Sequence, residues 1–299
     1  MKKIIIILGV LGVSLSAPFI RISTAPSMVL VLYRVFLAAL MLAPYEFIKN
    51  RAELTSMKKR DAILCLVSGL FLGLHFSCYF ESLKYTGIAS SVVLVDTEVF
   101  FVAFLTLFLY QEKNSMAAWL GILVTFAGSV VIAMSDAQGG KNVLLGDLTA
   151  ICGAACMAVY TLIGKSCRQR ISTTSYTFLV YLSAAATVFV ILLFTGTPVA
   201  GYDNINLLAA LGMAVFCTLL GHSIFSWGLK YEKAAFISTA KLLEPVFASI
   251  LGAIFFREIP RISVIIGGCI VISGVFLYIR FSGEEMDPLK KEPDNTDPL

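Results

Sequence analysis

A few ionisable side chains sit deep inside otherwise apolar stretches of the chain: Arg34, His75, Asp96, Glu98, His222, Lys241 and Glu244. Such a group near the middle of a bilayer costs about 2.5–3.5 kcal/mol even on a lenient insertion scale, so it faces a cavity or a partner. Buried carboxylates in that setting can hold a cationic group or exchange a proton. Glu98 lies about eleven residues into its run, roughly 16 Å along a helix axis and near mid-membrane. Asp96, two residues earlier, is rotated by roughly 200° onto another face. Lys241 stands three residues before Glu244, where a helix would let the two form a local ion pair. Arg34 is in the outer third of its run. Glu98 has no base one turn away, which makes it the acid to watch; Glu244, Asp96 and Arg34 can each be read equally as neutralising a neighbour.

The histidines have no Cys, Asp or Glu at metal-ligand spacing, so no metal site is expected. His75 and His222 read as interior hydrogen-bonded groups or as proton or substrate contacts. Tyr33, Tyr79, Phe101 and Trp227 offer aromatic faces suited to an organic cation, although Trp227 near a span end reads first as an interface anchor. Of the seven cysteines, all but Cys167 fall in apolar runs and no loop holds a CxxC pair, which argues against disulfides or zinc.

These residues need elements that hold them in a membrane. The 299-residue chain is 58% hydrophobic and only 14% charged, more apolar than a soluble core requires. Runs near 4–20, 28–48, 61–80, 88–109, 116–135, 147–164, 175–195, 206–228, 235–255 and 263–280 are each long enough to cross about 30 Å of hydrocarbon. The first, with Lys2, Lys3 and a Ser14–Ala17 end, has the form of a signal peptide; with further spans behind it, it reads as a retained helix, bent or ended near Pro18. The connections are short. The segment from Ser282 onward, acidic and proline-bearing, reads as a disordered tail. Of 23 lysines and arginines, 16 fall on the side that would carry both ends, 5 on the other, and Arg34 and Lys241 within spans. By the positive-inside rule both termini are cytoplasmic. The net charge of +4 is scattered over short loops, which excludes nucleic acid as a partner.

The chain also repeats itself. A shift of 146 positions, without gaps, lays Leu83-Lys84-Tyr85 on Leu229-Lys230-Tyr231, Ala89 on Ala235, Glu98 on Glu244, Phe101 on Phe247 and Glu112 on Glu258. Gly121 falls on Gly267 and Gly128 on Gly274, which reads as scaffold packing, since small residues two turns apart let helix backbones approach. Each copy holds five spans, an odd number, so the second enters the membrane from the opposite side. Inverted repeats of this kind are a transporter architecture built around a central site. The expected layout is a first repeat over 1–140, a second over 141–281 and a tail over 282–299.

The stretches Leu83–Ala89 to Tyr110-Gln111-Glu112, Leu242–Phe247 to Phe256-Arg257-Glu258, and Ala25-Pro26 to Tyr33-Arg34 resemble those of EamA-type carriers of the drug/metabolite transporter superfamily. The resemblance covers roughly residues 4–280 and implies a ten-helix carrier of amino acids or other small metabolites. Gln111 and Arg257 stand where that family usually has glycine, and Val99 where the second half has Pro245. The reading is therefore an all-α membrane protein, two inverted five-helix repeats, moving an amino-acid- or amine-like metabolite across the cytoplasmic membrane, most simply as an exporter. Uptake of a nucleotide-related or sugar-linked metabolite is the alternative. No enzyme constellation, photoreceptor helix count or channel filter is present, and no cofactor or ATP-binding loop is expected. The partners are a small-molecule substrate and the lipid bilayer, with a homodimer left open.

Overall fold

The computed structural model describes residues 2–134, 142–257 and 259–281. Ten helices long and apolar enough to cross a membrane occur among them: α1 (Lys2–Ile22), α2 (Ser27–Ile48), α3 (Lys59–Ser82), α4 (Ser90–Leu109), α5 (Met116–Met134), α6 (Val143–Cys167), α7 (Thr173–Phe194), α8 (Asn204–Gly228), α9 (Ala234–Phe256) and α10 (Ile262–Phe281). The boundary expected at 140/141, the tail 282–299 and Glu258 lie outside the described residues. Long apolar side chains such as Phe104, Phe108, Ile254 and Phe276 point outward, as they must where lipid is the solvent and each helix satisfies its own backbone.

Helix ends extend past the expected spans where a polar group caps them. The Asn142 side chain accepts from the Leu145 amide and starts α6 early. A short helix, Arg51–Ser56, occupies what reads in sequence as a loop; there Ser172 and Ser175 donate hydrogen bonds to the Glu53 carboxylate. The break in α1, expected near Pro18, falls three residues before it at Leu15, between Lys2–Ser14 and Ser16–Ile22. A proline disrupts the turn that precedes it, so the break belongs upstream. Lys3 donates to the Ile279 carbonyl, so α1 starts and α10 ends at the same end of the bundle.

The packing follows the internal repeat. Helices α2 and α7, α4 and α9, and α5 and α10 each meet their own repeat mate; α1 packs on α8 as α6 packs on α3, and α1 on α9 as α6 on α4. α5 and α10 form the closest pair. A Cβ placed on Gly121 would lie 2.7 Å from the Tyr278 amide, and one on Gly267 2.7 Å from Ile132. Likewise one on Gly128 would lie 2.6 Å from the Val271 amide, and one on Gly274 would collide with Thr125. Each second contact is the first with both partners moved by 146 positions, in opposite directions, which is the mark of a two-fold-related, self-complementary contact.

Candidate functional site

Three helices are interrupted at one depth of the bundle. α4 breaks at Thr97, between Ile88–Asp96 and Glu98–Leu109, and α9 breaks at Leu242–Leu243, between Ala234–Lys241 and Glu244–Phe256. Thr97 and Leu243 are repeat mates. The third break, at Leu15 in α1, lies next to Ser14, whose hydroxyl is shared between the Val10 carbonyl at 2.8 Å and the Glu244 carbonyl at 3.2 Å. Both halves of the repeat also end these helices alike. Gln111 and Arg257 have φ of 54° and 55°, the left-handed conformation that glycine adopts without strain and other residues do not.

At the breaks, Lys241 Nζ lies 2.8 Å from Glu98 Oε1, with the side chains 14% and 7% exposed. This corrects the expected Lys241–Glu244 pair. Three-residue spacing brings side chains together only in an unbroken helix, and the break at Leu242–Leu243 removes that geometry. Lys241 instead reaches across to α4. Glu98 has no base one turn away on its own helix; its base comes from the other repeat. The repeat mate of Lys241 is Val95, so no equivalent base serves Glu244. Among the described residues, no hydrogen bond or ion pair holds the Glu244 carboxylate. The charges of Arg34, Lys241 and Glu98 act on it without contact.

Arg34 is buried, 4% exposed. Its Nη2 lies 3.4 Å from His222 Nε2 and its guanidinium carbon sits 4.4 Å over the Phe76 ring. His222 stands edge-on to Phe76 and Phe225, and Lys241 lies 5.8 Å over the Phe225 ring. Phe76, His222 and Phe225 thus bridge the two cations. His222 ends a ten-residue π-helical stretch of α8, Met213–His222, a rare geometry that recurs at functional sites.

The other candidates are placed elsewhere. Asp96 accepts from Ser129 of α5 at 2.6 Å. His75 Nδ1–H donates to the Gly153 carbonyl at 3.0 Å and ties α3 to α6. Tyr33 donates to the Val199 carbonyl at 2.6 Å, so its hydroxyl serves the α7–α8 connection rather than the cluster. Tyr79 stacks at an angle on Phe80; the charges of Glu244 and Asp96 reach it. A cavity of about 350 Å³ opens among Pro26, Phe80, Glu81 and Ile191, and one of about 250 Å³ among Ala103, Glu112, Asn114 and Trp119. Neither is lined by Glu98, Glu244 or Arg34. Phe76, Phe225 and Ser14 have no signal in the sequence, being ordinary residues of apolar spans; only the positions of the breaks reveal them.

Ten helices in two inverted repeats, with a charge pair joining the repeats at paired helix breaks, define a multi-pass membrane carrier. The sequence pattern of the EamA-like transporter family matches residues 2–134 and again 144–280. The chain belongs to that family, and so to the transporters of the drug/metabolite transporter superfamily. Among its relatives, an uncharacterized transporter of Archaeoglobus fulgidus is 26% identical over 83% of this chain and 86% of its own. The pseudopaline exporter CntI of Pseudomonas aeruginosa is 25% identical over 84% and 85%. A WAT1-related protein of Arabidopsis thaliana is 23% identical over 90% and 80%. A solved crystal structure has the same fold, with a TM-score of 0.80 at 18% identity over 94% of this chain and 98% of the other.

Proposed function

We propose that this protein exports a small organic metabolite bearing an amino group, an amino acid or amine, across the cytoplasmic membrane by alternating access, driven by a gradient of substrate or protons. The carrying observation is Glu244: a carboxylate at the break of α9 with no bonded partner among the described residues, next to a Glu98–Lys241 pair that neutralises itself. A cationic ammonium or a proton is the group such a carboxylate takes up, because an uncompensated charge in a low-dielectric interior is costly. The relative named as an exporter supports the direction. The 16-to-5 charge asymmetry supports cytoplasmic termini; a cysteine at Asn142 labelled only from inside intact cells would overturn that orientation.

The test is transport of labelled amino acids and amines by protein reconstituted in liposomes. Glu244→Gln removes the charge and no existing bond, so melting should stay within about 2 °C of wild type while transport falls by about ten- to a hundredfold, the worth of one charged contact. Transport by Glu244→Gln at the wild-type rate and with wild-type pH dependence would sink the reading.

A further inference from the structure

The stretch that joins α2 to α3 carries five cations within twelve residues: Lys49, Arg51, Lys58, Lys59 and Arg60, all exposed. Among the described residues, none of the five side chains makes a hydrogen bond, an ion pair or a ring contact. The cations around the end of α6, at the same end of the bundle, are different. Lys165 holds Glu112 at 3.2 Å, Arg168 donates to the Ser226 carbonyl at 3.0 Å, and Arg170 holds Asp61 at 2.8 Å.

Acids are present in the same stretch, but each is engaged elsewhere. Glu46 is fully buried and accepts from the Asn50 side chain at 3.0 Å. Glu53 accepts from the Ser172 backbone N–H at 2.7 Å, and Asp61 is taken by Arg170. The short helix Arg51–Ser56 is thereby pinned to the second repeat through its acid, and the open side of the segment is left with positive charge alone. At 1.5 Å per residue the helix separates the two groups of cations by about 9 Å, about one Debye length, so they act as one field. Orienting a chain in a membrane takes only an excess of cations at one end; it does not require that the neighbouring acids be withdrawn from them.

The position of the patch says which anion it meets. Lys49 directly follows Phe47 and Ile48, which are 60% and 76% exposed at the end of α2. Apolar side chains so open are covered by acyl chains, which puts the adjacent cations in the headgroup layer. A phosphate at that depth comes attached to a lipid. Clusters of roughly four to eight Lys and Arg just outside a transmembrane helix are the pattern that anionic headgroups bind.

We propose that Lys49, Arg51, Lys58, Lys59 and Arg60 form a binding site for the headgroup of an anionic phospholipid whose acyl chains lie along Phe47 and Ile48. Because Glu53 and Asp61 fasten this segment to Ser172 and Arg170, a lipid held there stabilises the junction between the two repeats at this end.

Native mass spectrometry of the full-length protein in a neutral detergent tests the site, with phosphatidylglycerol and phosphatidylcholine of identical acyl chains added in equal amounts. The first lipid retained should be phosphatidylglycerol by about tenfold or more, since each engaged cation adds about fivefold. The preference should shrink as salt rises. The triple variant Lys58→Gln, Lys59→Gln, Arg60→Gln should bring it to within about threefold of parity. The charge-keeping pair Lys58→Arg, Lys59→Arg should preserve it, as should Arg280→Gln, which removes a cation of α10 at the same end. Phosphatidylglycerol should also raise the melting temperature of the wild type, by binding the folded state, and should not raise that of the triple variant. Parity of the two lipids on the wild type overturns the proposal with no variant needed. So does an undiminished preference in the triple variant, which places the lipid elsewhere. Equal protection by glycerol phosphate, which has no acyl chains, assigns the patch to a soluble anion and overturns the lipid.

Discussion

Lys241→Met cuts the ion pair that joins the two repeats and leaves Glu98 buried. At 2.8 Å and an effective dielectric near 20, two unit charges attract by about 6 kcal/mol. Desolvation of both groups offsets much of that, so the pair itself adds little relative to two apolar side chains. Removal of one partner is a different matter, because the survivor keeps its desolvation and loses its attraction, a loss of about 3–5 kcal/mol. At about 2 °C or more per kcal/mol for a large chain, apparent melting in detergent should fall by at least about 6 °C. The fluorescence of Trp119 and Trp227 reports it. Adding Glu98→Gln to Lys241→Met removes the stranded charge and should restore most of the loss. A Lys241→Met protein that melts with wild type, or a double variant no more stable than the single one, would refute the reasoning. Had Lys241 served Glu244, the rescuing partner would instead be Glu244→Gln.

Gly128→Leu should prevent accumulation of folded protein in the membrane, because its Cβ alone would lie 2.6 Å from the Val271 backbone amide; size-exclusion chromatography after detergent extraction reads this. Gln111→Gly should raise apparent melting by roughly 2–4 °C, by relieving about 1–2 kcal/mol of left-handed strain at φ 54°. Burial pushes the Glu53 carboxyl up, but hydrogen bonds from Ser172 and Ser175 outweigh it and hold the group below its ordinary value of 4.5. Its folded value is depressed, so its contribution is complete above pH 4.5 and is lost as pH falls through the lower folded value. Glu53→Gln should flatten the acid limb of a melting-temperature profile in that window.

The ten spans and their pairing were legible because each depends on local chemistry: about twenty apolar residues per span, and acids or glycines that keep their register across the repeat. The strain at Gln111 and Arg257 was legible too, as two departures from glycine at matched positions. The partner of Lys241 was not. Helical spacing points to Glu244, and that rule holds only while α9 is continuous; Pro245, which lacks an N–H and crowds the Lys241 carbonyl, announces the break at Leu242–Leu243 as Pro18 does the one at Leu15, but it does not say where Lys241 then turns. The asymmetry of the acids was present in the sequence as Val95 opposite Lys241, but it acquires meaning only once α4 and α9 are known to meet. Arg34 and His222 lie 188 residues apart with no periodicity linking them, and the π-helical turn that sets His222 has no sequence signature.

The matched glycine contacts between α5 and α10 have a historical consequence. Gly121 on Tyr278 and Gly267 on Ile132 are one contact written twice, so a change at one position in a single ancestral five-helix chain would have struck both places at once. Such a surface closes on a second copy of itself whether or not a connecting segment joins the copies. It asks only that the two copies enter the membrane in opposite directions. Two copies joined in one chain are free to differ: Lys241 stands opposite Val95, and among the described residues only one of the two matched acids, Glu98, is paired with a base.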